Sequence, residues 1–427
     1  MTAHSGRLGR INSPPSDWSE SYKVCGEYVT RRVILPNDQK VTTRIAKDPD
    51  APKGIDAQSV FDYSLLRTKS KPISNFNETV YAADVFCGCG CLSLGASEAC
   101  NAMGKKFVSA VAIDNSPDAL AVYQRNFKPL KAYLENITKI IDGRVGSQST
   151  INELQMQKDC FSGKRLSLLL AGPPCQGYSS LNNNRRRRDD RNILYERVAR
   201  FVELSYPENV IIENVPTVLR SKERVVERTV RLMERQGYSV DSDVVNLVDI
   251  GVPQVRKRHV VVGSMKKDIS IKAMIENHKV KRRRTFSWAA GDLQDEFPTS
   301  LMTIPTRHSE ANKKRMEYLH WKRLYDLPNE MRPACHQKDH AYKSMYGRMR
   351  ANEPAQTITS GFPSPGQGRF IHPTKLRTIT PHEAARLQLI FDYFDFSEAR
   401  TRRSLSSMIG NAAPMKLSYI FCIELLA

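Results

Sequence analysis

From residue 80 onward, short apolar runs alternate with stretches of helical period. The first run, Val80–Phe86, enters a glycine-bearing turn, and an amphipathic pattern follows around Leu92–Met103. A second run, Phe107–Ile113, precedes a helix at Pro117–Phe127, because proline is tolerated in the first turn of a helix. Repeated strand–helix alternation is typical of parallel sheets with helices on both faces. The pattern therefore predicts an α/β fold with a doubly wound, mostly parallel sheet.

Further strands are predicted in the second half of this region. They lie near Leu166–Leu170, Val210–Glu213 and His259–Gly263, and helices are predicted at Ile193–Leu204 and Lys222–Gln236. Such runs of four to eight apolar residues suit strands that are buried on both faces. The first two of these strands carry a cysteine and a glutamate near their ends.

The alternation weakens on both sides of this region. Residues 1–78 are polar and irregular apart from short β-like stretches, and we assign no role to this N-terminal extension. Residues 79–263 carry the alternating pattern. Residues 264–375 are basic, irregular and punctuated by proline, which predicts a second, smaller domain. Residues 376–427 regain a helical pattern and end in an apolar stretch, as expected of a segment that returns to the first domain.

Composition limits the class of protein. The chain has 427 residues, of which 40% are hydrophobic, and no apolar run reaches the roughly 18 residues that a membrane span needs. Since the N-terminus also lacks an apolar signal core, a cytoplasmic protein is expected. Nine scattered cysteines do not suggest a disulfide framework. The clusters Cys87–Cys91 and Cys335–His340 have poor spacing for zinc, and we expect no metal.

The charge is strongly positive. A formal net charge of +20 and a pI near 9.6 indicate a polyanionic partner. Two runs, Arg185–Arg188 and Lys281–Arg284, concentrate this charge. Although most charge runs are simply solvated surface, the first lies ten residues after a candidate nucleophile, Cys175. We therefore expect that run to contact phosphates.

Cys175 follows a hydrophobic strand in the sequence Gly172-Pro173-Pro174-Cys175-Gln176. The two prolines fix the backbone before the cysteine. A thiolate is a strong nucleophile, and Glu213 ends the next apolar run. The pair predicts covalent catalysis with an acid partner.

The turn Asp84–Gly90 predicts a cofactor site. Its glycines allow a ligand to approach the backbone, and Asp114 ends the next strand, where an acid often binds ribose hydroxyls. The alternative role of Asp114 is to cap the helix that starts at Pro117. Because Ser93 replaces the third glycine of a dinucleotide fingerprint, NAD is disfavoured and S-adenosylmethionine remains possible.

Gln254, Arg256 and Arg258 alternate, so they share one face of an extended chain. They suit a substrate or phosphate site, although an exposed basic turn is the alternative.

Taken in order, these segments resemble the motifs of the S-adenosylmethionine-dependent, bacterial-type cytosine-5 DNA methyltransferase family across residues 80–427. The matching segments are Asp84–Gly95, Gly172–Ser179, Glu213–Val215, Gln254–Arg258, Arg377–Gln388 and Gly410–Pro414. The resemblance implies the methyltransferase fold, with 79–263 as the catalytic and cofactor-binding domain and 264–375 as the target recognition domain.

The resemblance also implies the reaction. Cys175 would attack C6 of a flipped cytosine in double-stranded DNA, Glu213 would bind N3, and Arg256 and Arg258 would assist. S-adenosyl-L-methionine would supply the methyl group that C5 receives. The implied cofactor contacts are Phe86, Gly88, Gly90, Asp114, Asn136, Gly172, Pro174, Leu194 and Asn411. The implied DNA contacts are Gln176, Ser179, Arg185, Arg186, Arg187, Arg188 and Gln254.

Three positions depart from the family pattern. Cys91 replaces a glycine, Asn136 replaces an aspartate expected at the adenine amino group, and Asn115 replaces a bulky apolar residue over the adenine. We expect weaker cofactor affinity from these changes. The catalytic pair is intact.

Two alternatives remain open. A tRNA cytosine-5 methyltransferase would share several of these motifs, but the long basic region after Gly263 favours DNA. A non-catalytic DNA-binding relative would not need Cys175 and Glu213. The expected role is that of a monomeric modification enzyme in a restriction or other host-defence system, with a nuclease as a possible partner.

Overall fold

The computed structural model describes residues 18–72, 75–161, 165–174, 192–221, 224–337 and 344–427. Its strands are β1 (Ser19–Cys25), β2 (Tyr28–Ile34), β3 (Lys40–Ala46), β4 (Glu78–Val85), β5 (Lys105–Asp114), β6 (Lys131–Leu134), β7 (Leu168–Ala171), β8 (Asn209–Asn214), β9 (Ser239–Asn246), β10 (Gln254–Val255), β11 (Lys257–Ser264) and β12 (Ala355–Gln356). Its α-helices are α1 (Ala57–Arg67), α2 (Cys91–Ala102), α3 (Pro117–Phe127), α4 (Ile137–Ile140), α5 (Ile151–Phe161), α6 (Asn192–Ser205), α7 (Val225–Arg235), α8 (Ile271–Asn277), α9 (Phe286–Ala290), α10 (Glu310–Trp321), α11 (Pro381–Leu387), α12 (Arg402–Asn411) and α13 (Met415–Leu426).

A seven-stranded sheet forms the centre of the molecule, in the order β6-β5-β4-β7-β8-β11-β9. The five strands from β6 to β8 are parallel, and β11 is antiparallel to both of its neighbours. The predicted doubly wound, mostly parallel sheet is confirmed. Since strand order reverses next to β4, a crevice is expected beyond the carboxyl ends of β4, β5 and β7.

Alternate residues of each central strand enter two hydrophobic cores. In β7, Leu168 and Leu170 pack with α2 and α13 on one face, while Leu169 and Ala171 pack with α6 on the other. All four side chains are buried. This two-sided burial explains why the strands have continuous apolar sequences.

The helices α2 and α13 approach each other closely. Gly95 lies at their contact, and a Cβ atom there would be 2.0 Å from the Met415 carbonyl oxygen and 2.2 Å from Ser418 Oγ. Ser418 Oγ in turn donates a hydrogen bond to the Leu92 carbonyl at 2.8 Å. The C-terminal helix therefore completes the layer that contains the helix after the glycine turn.

The N-terminal extension is folded against this layer. Strands β1, β2 and β3 form an antiparallel sheet, and Arg31 of β2 is buried, with an ion pair to Glu98 of α2 at 2.8 Å and a hydrogen bond to Tyr419 Oη of α13 at 3.2 Å. Trp18 donates a hydrogen bond to Glu424 at 3.2 Å. The short β-like stretches of the sequence are thus parts of a sheet that is tied to the main domain.

One of the two basic runs is only partly a surface feature. Lys281, Arg282 and Arg283 are exposed, but Arg284 is buried and forms an ion pair with Asp62 of α1. Across the described ranges, none of the helices combines the length and apolar character needed to cross a bilayer.

Candidate active site

A cavity of about 1050 Å³ opens beyond the carboxyl ends of β4, β5, β7 and β8. The structure brings most of the predicted site residues together around it. Those that line the cavity are Phe86, Gly88, Asp114, Asn136, Gly172, Pro174, Leu194, Glu213, Arg256, Arg258 and Asn411. Cys175, Gln176, Ser179 and Arg185, Arg186, Arg187 and Arg188 lie outside the described residues, and Cys175 follows the cavity-lining Pro174 in the chain.

The turn after β4 is shaped to place backbone groups beside the cavity. Phe86 and Gly88 have left-handed φ values of 58° and 54°. Asp114 accepts one hydrogen bond from the Gly88 amide and one from the Ser116 amide, both at 2.8 Å. Burial raises the pKa of Asp114 above its usual value. Asp114 thus supports the turn and the start of α3, and its half-buried carboxylate also borders the cavity.

Different local surroundings favour glycine at positions 88 and 90. No atom lies within 4 Å of a Cβ placed on Gly88, so open space adjoins it. A Cβ on Gly90, whose φ is 96°, would lie 2.4 Å from Phe127 Cε2. Gly90 is absent from the cavity wall. Gly90 therefore has a packing role behind the turn, and its expected cofactor contact stays a prediction.

Gly88→Ala and Gly90→Ala should separate these two roles. We expect Gly90→Ala to destabilise the protein by about 2–4 kcal/mol, since overpacking adds to left-handed strain. Gly88→Ala should cost only about 1–2 kcal/mol but should weaken binding of S-adenosylhomocysteine, because the methyl group projects into the open space. Denaturant unfolding and calorimetric titration measure the two effects. Equal unfolding penalties for the two variants would contradict the distinction.

Ser93, which stands in place of a third glycine, is fixed by a buried polar network. Its hydroxyl donates to Asp84 Oδ2 at 2.6 Å and lies 2.8 Å from Tyr123 Oη. Burial raises the pKa of Asp84 to about 7. Ser93 therefore anchors the first turn of α2 to β4, a role that glycine could not fill.

The three departures from the family pattern all lie at the cavity. Cys91 is buried with its Sγ 3.8 Å from Cys89 Sγ, and contact with Cys89 together with burial raises its pKa. Asn136 caps α4: its Oδ1 accepts from the Thr138 amide at 3.1 Å and from Thr138 Oγ1 at 3.0 Å. Asn115 also lines the cavity. The side-chain oxygen of Asn136 thus already has a structural function.

Glu213 and Arg258 form an ion pair at the same cavity. Arg258 Nε lies 2.5 Å from Glu213 Oε1, and Arg258 Nη1 also donates to its neighbouring Lys257 carbonyl at 2.8 Å. Glu213 is 8% exposed. Because β8 and β11 are paired antiparallel strands, this geometry is set by the sheet.

Asn214 connects the two strand ends that carry the catalytic candidates. Its Nδ2 donates to the Pro173 carbonyl at 3.2 Å, and its Oδ1 accepts from the Val215 amide at 2.8 Å. Sequence reasoning named the segment Glu213–Val215 but gave no role to its asparagine. A buried amide between two active-site loops could have been suspected from its position beside a catalytic glutamate.

Gln254 and Arg256 lie inside the protein. Gln254 is 0% exposed and bonds to the Ile358 amide at 2.7 Å and to Gln388 Oε1 at 3.0 Å. Arg256 is 2% exposed and donates to the carbonyls of Ile358 and Ala412 at 2.6 and 3.1 Å. The side chain of Gln254 thus forms an internal link in this structure, and its expected DNA contact stays a prediction. The predicted shared face exists, but distant segments cover it.

Comparison with known proteins settles the family. Residues 80–425 match the family of C-5 cytosine-specific DNA methylases. The chain belongs to this family. It is a DNA cytosine-5 methyltransferase, and its cofactor is S-adenosylmethionine.

Relatives match over most of their length. The chain is 41% identical over 408 residues to the type II methyltransferase M1.BsuMI of Bacillus subtilis, covering 95% of this chain and 94% of that protein. It is 28% identical over 351 residues to the type II methylase M.HgiDII of Herpetosiphon aurantiacus, covering 79% and 92%. A putative DNA modification methyltransferase of an E. coli prophage has a similar fold, with a TM-score of 0.58, 24% identity and coverage of 81% and 98%.

His259 should make the methyltransferase sensitive to acid. It is buried on β11 beside the active-site strand β8, and within the described residues neither ring nitrogen has a hydrogen-bond partner. Burial lowers its pKa to about 4 from 6.5, against a smaller opposing effect of Asp243. The unfolded chain therefore binds the extra proton between these values, and stability falls as pH decreases from about 6.5 to about 4, by up to about 3 kcal/mol.

Urea unfolding of the wild type and His259→Leu across this pH range tests the expectation. The variant should lose that part of the pH dependence, whatever its absolute stability. Parallel curves for the two proteins would contradict it.

Proposed function

We propose that the enzyme methylates C5 of cytosine in a specific duplex sequence, through a covalent bond between Cys175 and C6 of a flipped base. The main support is that Pro174 and Glu213 border the same cavity as the glycine turn and Asp114. Its volume of about 1050 Å³ slightly exceeds the roughly 300–1,000 Å³ typical of small-molecule sites. One space can therefore hold a cofactor and an extruded nucleotide together.

The chemistry explains the need for a thiol. Cytosine C5 is a poor nucleophile until a group adds at C6. When the Cys175 sulfur forms a bond to C6, the ring electrons move toward N3, where Glu213 binds, and C5 becomes nucleophilic. S-adenosylmethionine supplies the methyl group when it is bound. Loss of the C5 proton and elimination of Cys175 then restore the ring as 5-methylcytosine.

The neighbouring residues position this pair. Arg258 holds the Glu213 carboxylate through the 2.5 Å contact and would face the cytosine O2. Asn214 holds the carbonyl of Pro173, two residues before the nucleophile. Arg256 is a positioning residue, because it joins the strand that carries Arg258 to the segments at Ile358 and Ala412.

The cofactor would lie along the other end of the cavity. Phe86 would stack on its adenine, Gly88 would adjoin its methionine part, and Asp114 would bind the ribose. Gly172, Pro174, Leu194 and Asn411 border the same space. Asn136 would approach the adenine with its amide, whose oxygen is shared with Thr138. The open space at Gly88 and the half-buried carboxylate of Asp114 fit this ligand.

DNA would bind across the cavity mouth. A base inside a duplex cannot reach Glu213, so it must be extruded, at a cost of a few kcal/mol that phosphate contacts offset. We assign these contacts to Gln176, Ser179, Arg185, Arg186, Arg187 and Arg188. Residues 79–263 are the proposed catalytic domain, which 376–427 complete, and residues 264–375 are the proposed target recognition domain.

The biological role that we propose is modification in a restriction system. The relatives of Bacillus subtilis and Herpetosiphon aurantiacus are named type II enzymes, and a full-length relationship supports a similar role here. The partner would be a nuclease that cuts the unmodified sequence.

Transfer of a labelled methyl group tests the substrate. The enzyme should label unmethylated duplex DNA and leave tRNA unlabelled, and bisulfite sequencing should locate the modified cytosine. A duplex with 5-fluorocytosine at that position should trap the enzyme, because the C5 fluorine cannot leave as a proton. Label on tRNA alone, or a crosslink to a residue other than Cys175, would refute the proposal.

A further inference from the structure

The turn that follows α10 presents an exposed aromatic side chain beside two cations. Trp321 is 75% exposed, and the next two residues, Lys322 and Arg323, are also exposed. We propose that this turn, Trp321–Leu324, contacts the DNA that flanks the methylated cytosine. Trp321 would pack against a deoxyribose or a thymine methyl group at the edge of a groove, and the two cations would contact phosphates. This assignment rests on the proposed function, because it gives the 264–375 region a DNA-contact surface.

The local charge favours a polyanion over other partners. Lys322 Nζ lies 4.1 Å from the centroid of the Trp321 ring. Phe297, another exposed aromatic residue of the same region at 79%, instead follows Asp295 and Glu296. The two exposed aromatics therefore differ in their neighbours: two cations follow Trp321, whereas the acids before Phe297 pair with Lys375 and His382. Of these two residues, only Trp321 combines an exposed apolar ring with adjacent positive charge, which suits a groove edge and its phosphates.

Arg323 adopts a backbone conformation in this turn that glycine would adopt at a lower energetic cost. Arg323 has a φ of 55°, in the left-handed region. The Arg323 amide donates to the His320 carbonyl at 3.1 Å, and the Leu324 amide donates to the Leu319 carbonyl at 2.9 Å. These bonds end the helix in a way that normally favours glycine. Strain of this kind points to a function for the side chain.

Arginines from a distant segment hold the turn in place. Arg348 Nε donates to the Leu324 carbonyl at 3.0 Å, and Arg369 Nη1 donates to the Tyr325 carbonyl at 2.7 Å. The Tyr325 ring lies between Arg348 and Arg350, whose guanidinium carbons are 4.7 and 4.1 Å from its centroid. A surface that is fixed before binding loses little conformational entropy when DNA arrives.

The same segment connects the turn to the active site. Arg350 contacts Tyr325, and Thr357, seven residues later, lines the cavity. Seven extended residues span at most about 25 Å. Arg350, which contacts Tyr325 beside the turn, therefore lies within about 25 Å of the cavity-lining Thr357, a span of roughly seven base pairs at about 3.4 Å each. That reach suits contacts to flanking sequence.

The first test compares Trp321→Ala with Phe297→Ala as a matched control. The substrate is a duplex that contains a methylation site mapped by bisulfite sequencing. We expect Trp321→Ala to raise the KM for this DNA by roughly 5- to 100-fold through the loss of buried apolar area, with an unchanged KM for S-adenosylmethionine. Phe297→Ala should behave as the wild type. A Trp321→Ala enzyme with the DNA KM of the control would overturn the proposal.

The second test uses tryptophan fluorescence. The chain has three tryptophans, and Trp18 and Trp288 are buried, so iodide should quench mainly Trp321. The same duplex should protect this signal, and Trp321→Phe should abolish the effect. Unchanged quenching on DNA binding would overturn the proposal and leave the turn available for a protein partner. Failure of the proposed function would be visible in the wild type alone, which would then transfer no label to DNA. Failure of the present proposal would appear only in the comparison of the variants with an active wild type.

Discussion

Replacing Cys175 with alanine is expected to reduce methyl transfer by about four orders of magnitude or more, as for other lost nucleophiles. Without a sulfur at C6, the cytosine ring keeps its conjugation and C5 does not attack the methyl group. Since the change removes a single sulfur atom, binding of DNA and of S-adenosylhomocysteine should persist. Catalysis and binding are thus expected to separate fully in this variant.

Single-turnover transfer of labelled methyl groups measures catalysis. Gel shift measures DNA binding, and calorimetric titration measures S-adenosylhomocysteine binding. Cys25→Ala is the matched control, because Cys25 is an exposed cysteine of the N-terminal sheet, far along the chain from the active site. It should retain wild-type turnover and still crosslink to 5-fluorocytosine DNA. Residual turnover by Cys175→Ala would show that another group is the nucleophile.

Arg256→Met should have the second-largest effect, and it should act through stability. The substitution leaves the carbonyls of Ile358, Gly410 and Ala412 without their buried donor. Each unsatisfied buried group costs about 1–3 kcal/mol, so a loss of about 3 kcal/mol or more is expected. Activity should fall in parallel, because these bonds hold the strand that carries Arg258 against other segments that line the cavity.

Arg258→Gln provides the comparison. Its guanidinium pairs with Glu213 at the cavity wall, so its loss should reduce kcat with a smaller change in unfolding free energy. Denaturant unfolding together with steady-state kinetics distinguishes the two arginines. An Arg256→Met enzyme that is as stable as the wild type but inactive would instead indicate direct contact with the substrate.

The sequence predicted the central elements well where local signals are strong. The helix expected at Pro117–Phe127 has those bounds, because proline fixes its first turn. The edge strands β6 and β9 were not predicted. In β9, Asp241, Ser242 and Asp243 face solvent at least in part, and only one neighbouring strand supports their backbone. An edge strand needs fewer apolar residues, so its composition resembles that of a loop.

Contacts through space were harder to predict than motifs. Alternation placed Gln254 and Arg256 on one face, but it could not reveal that Ile358 and Gly410, more than a hundred residues away, cover that face. Gly90 likewise follows a cofactor-turn pattern, although Phe127 fills the space that a Cβ atom on Gly90 would occupy. A pattern identifies which residue types are available. The packing of distant segments determines which of them meet a ligand.

The contact of α2 with α13 bears on how the enzyme is made. The helix that follows the cofactor turn can only bury its apolar side once Met415 and Ser418 have been translated, because these residues fill the space over Gly95. A nascent chain therefore lacks a finished methyl-donor pocket until α13 has been synthesised. Fragments that lack this helix should be inert toward DNA.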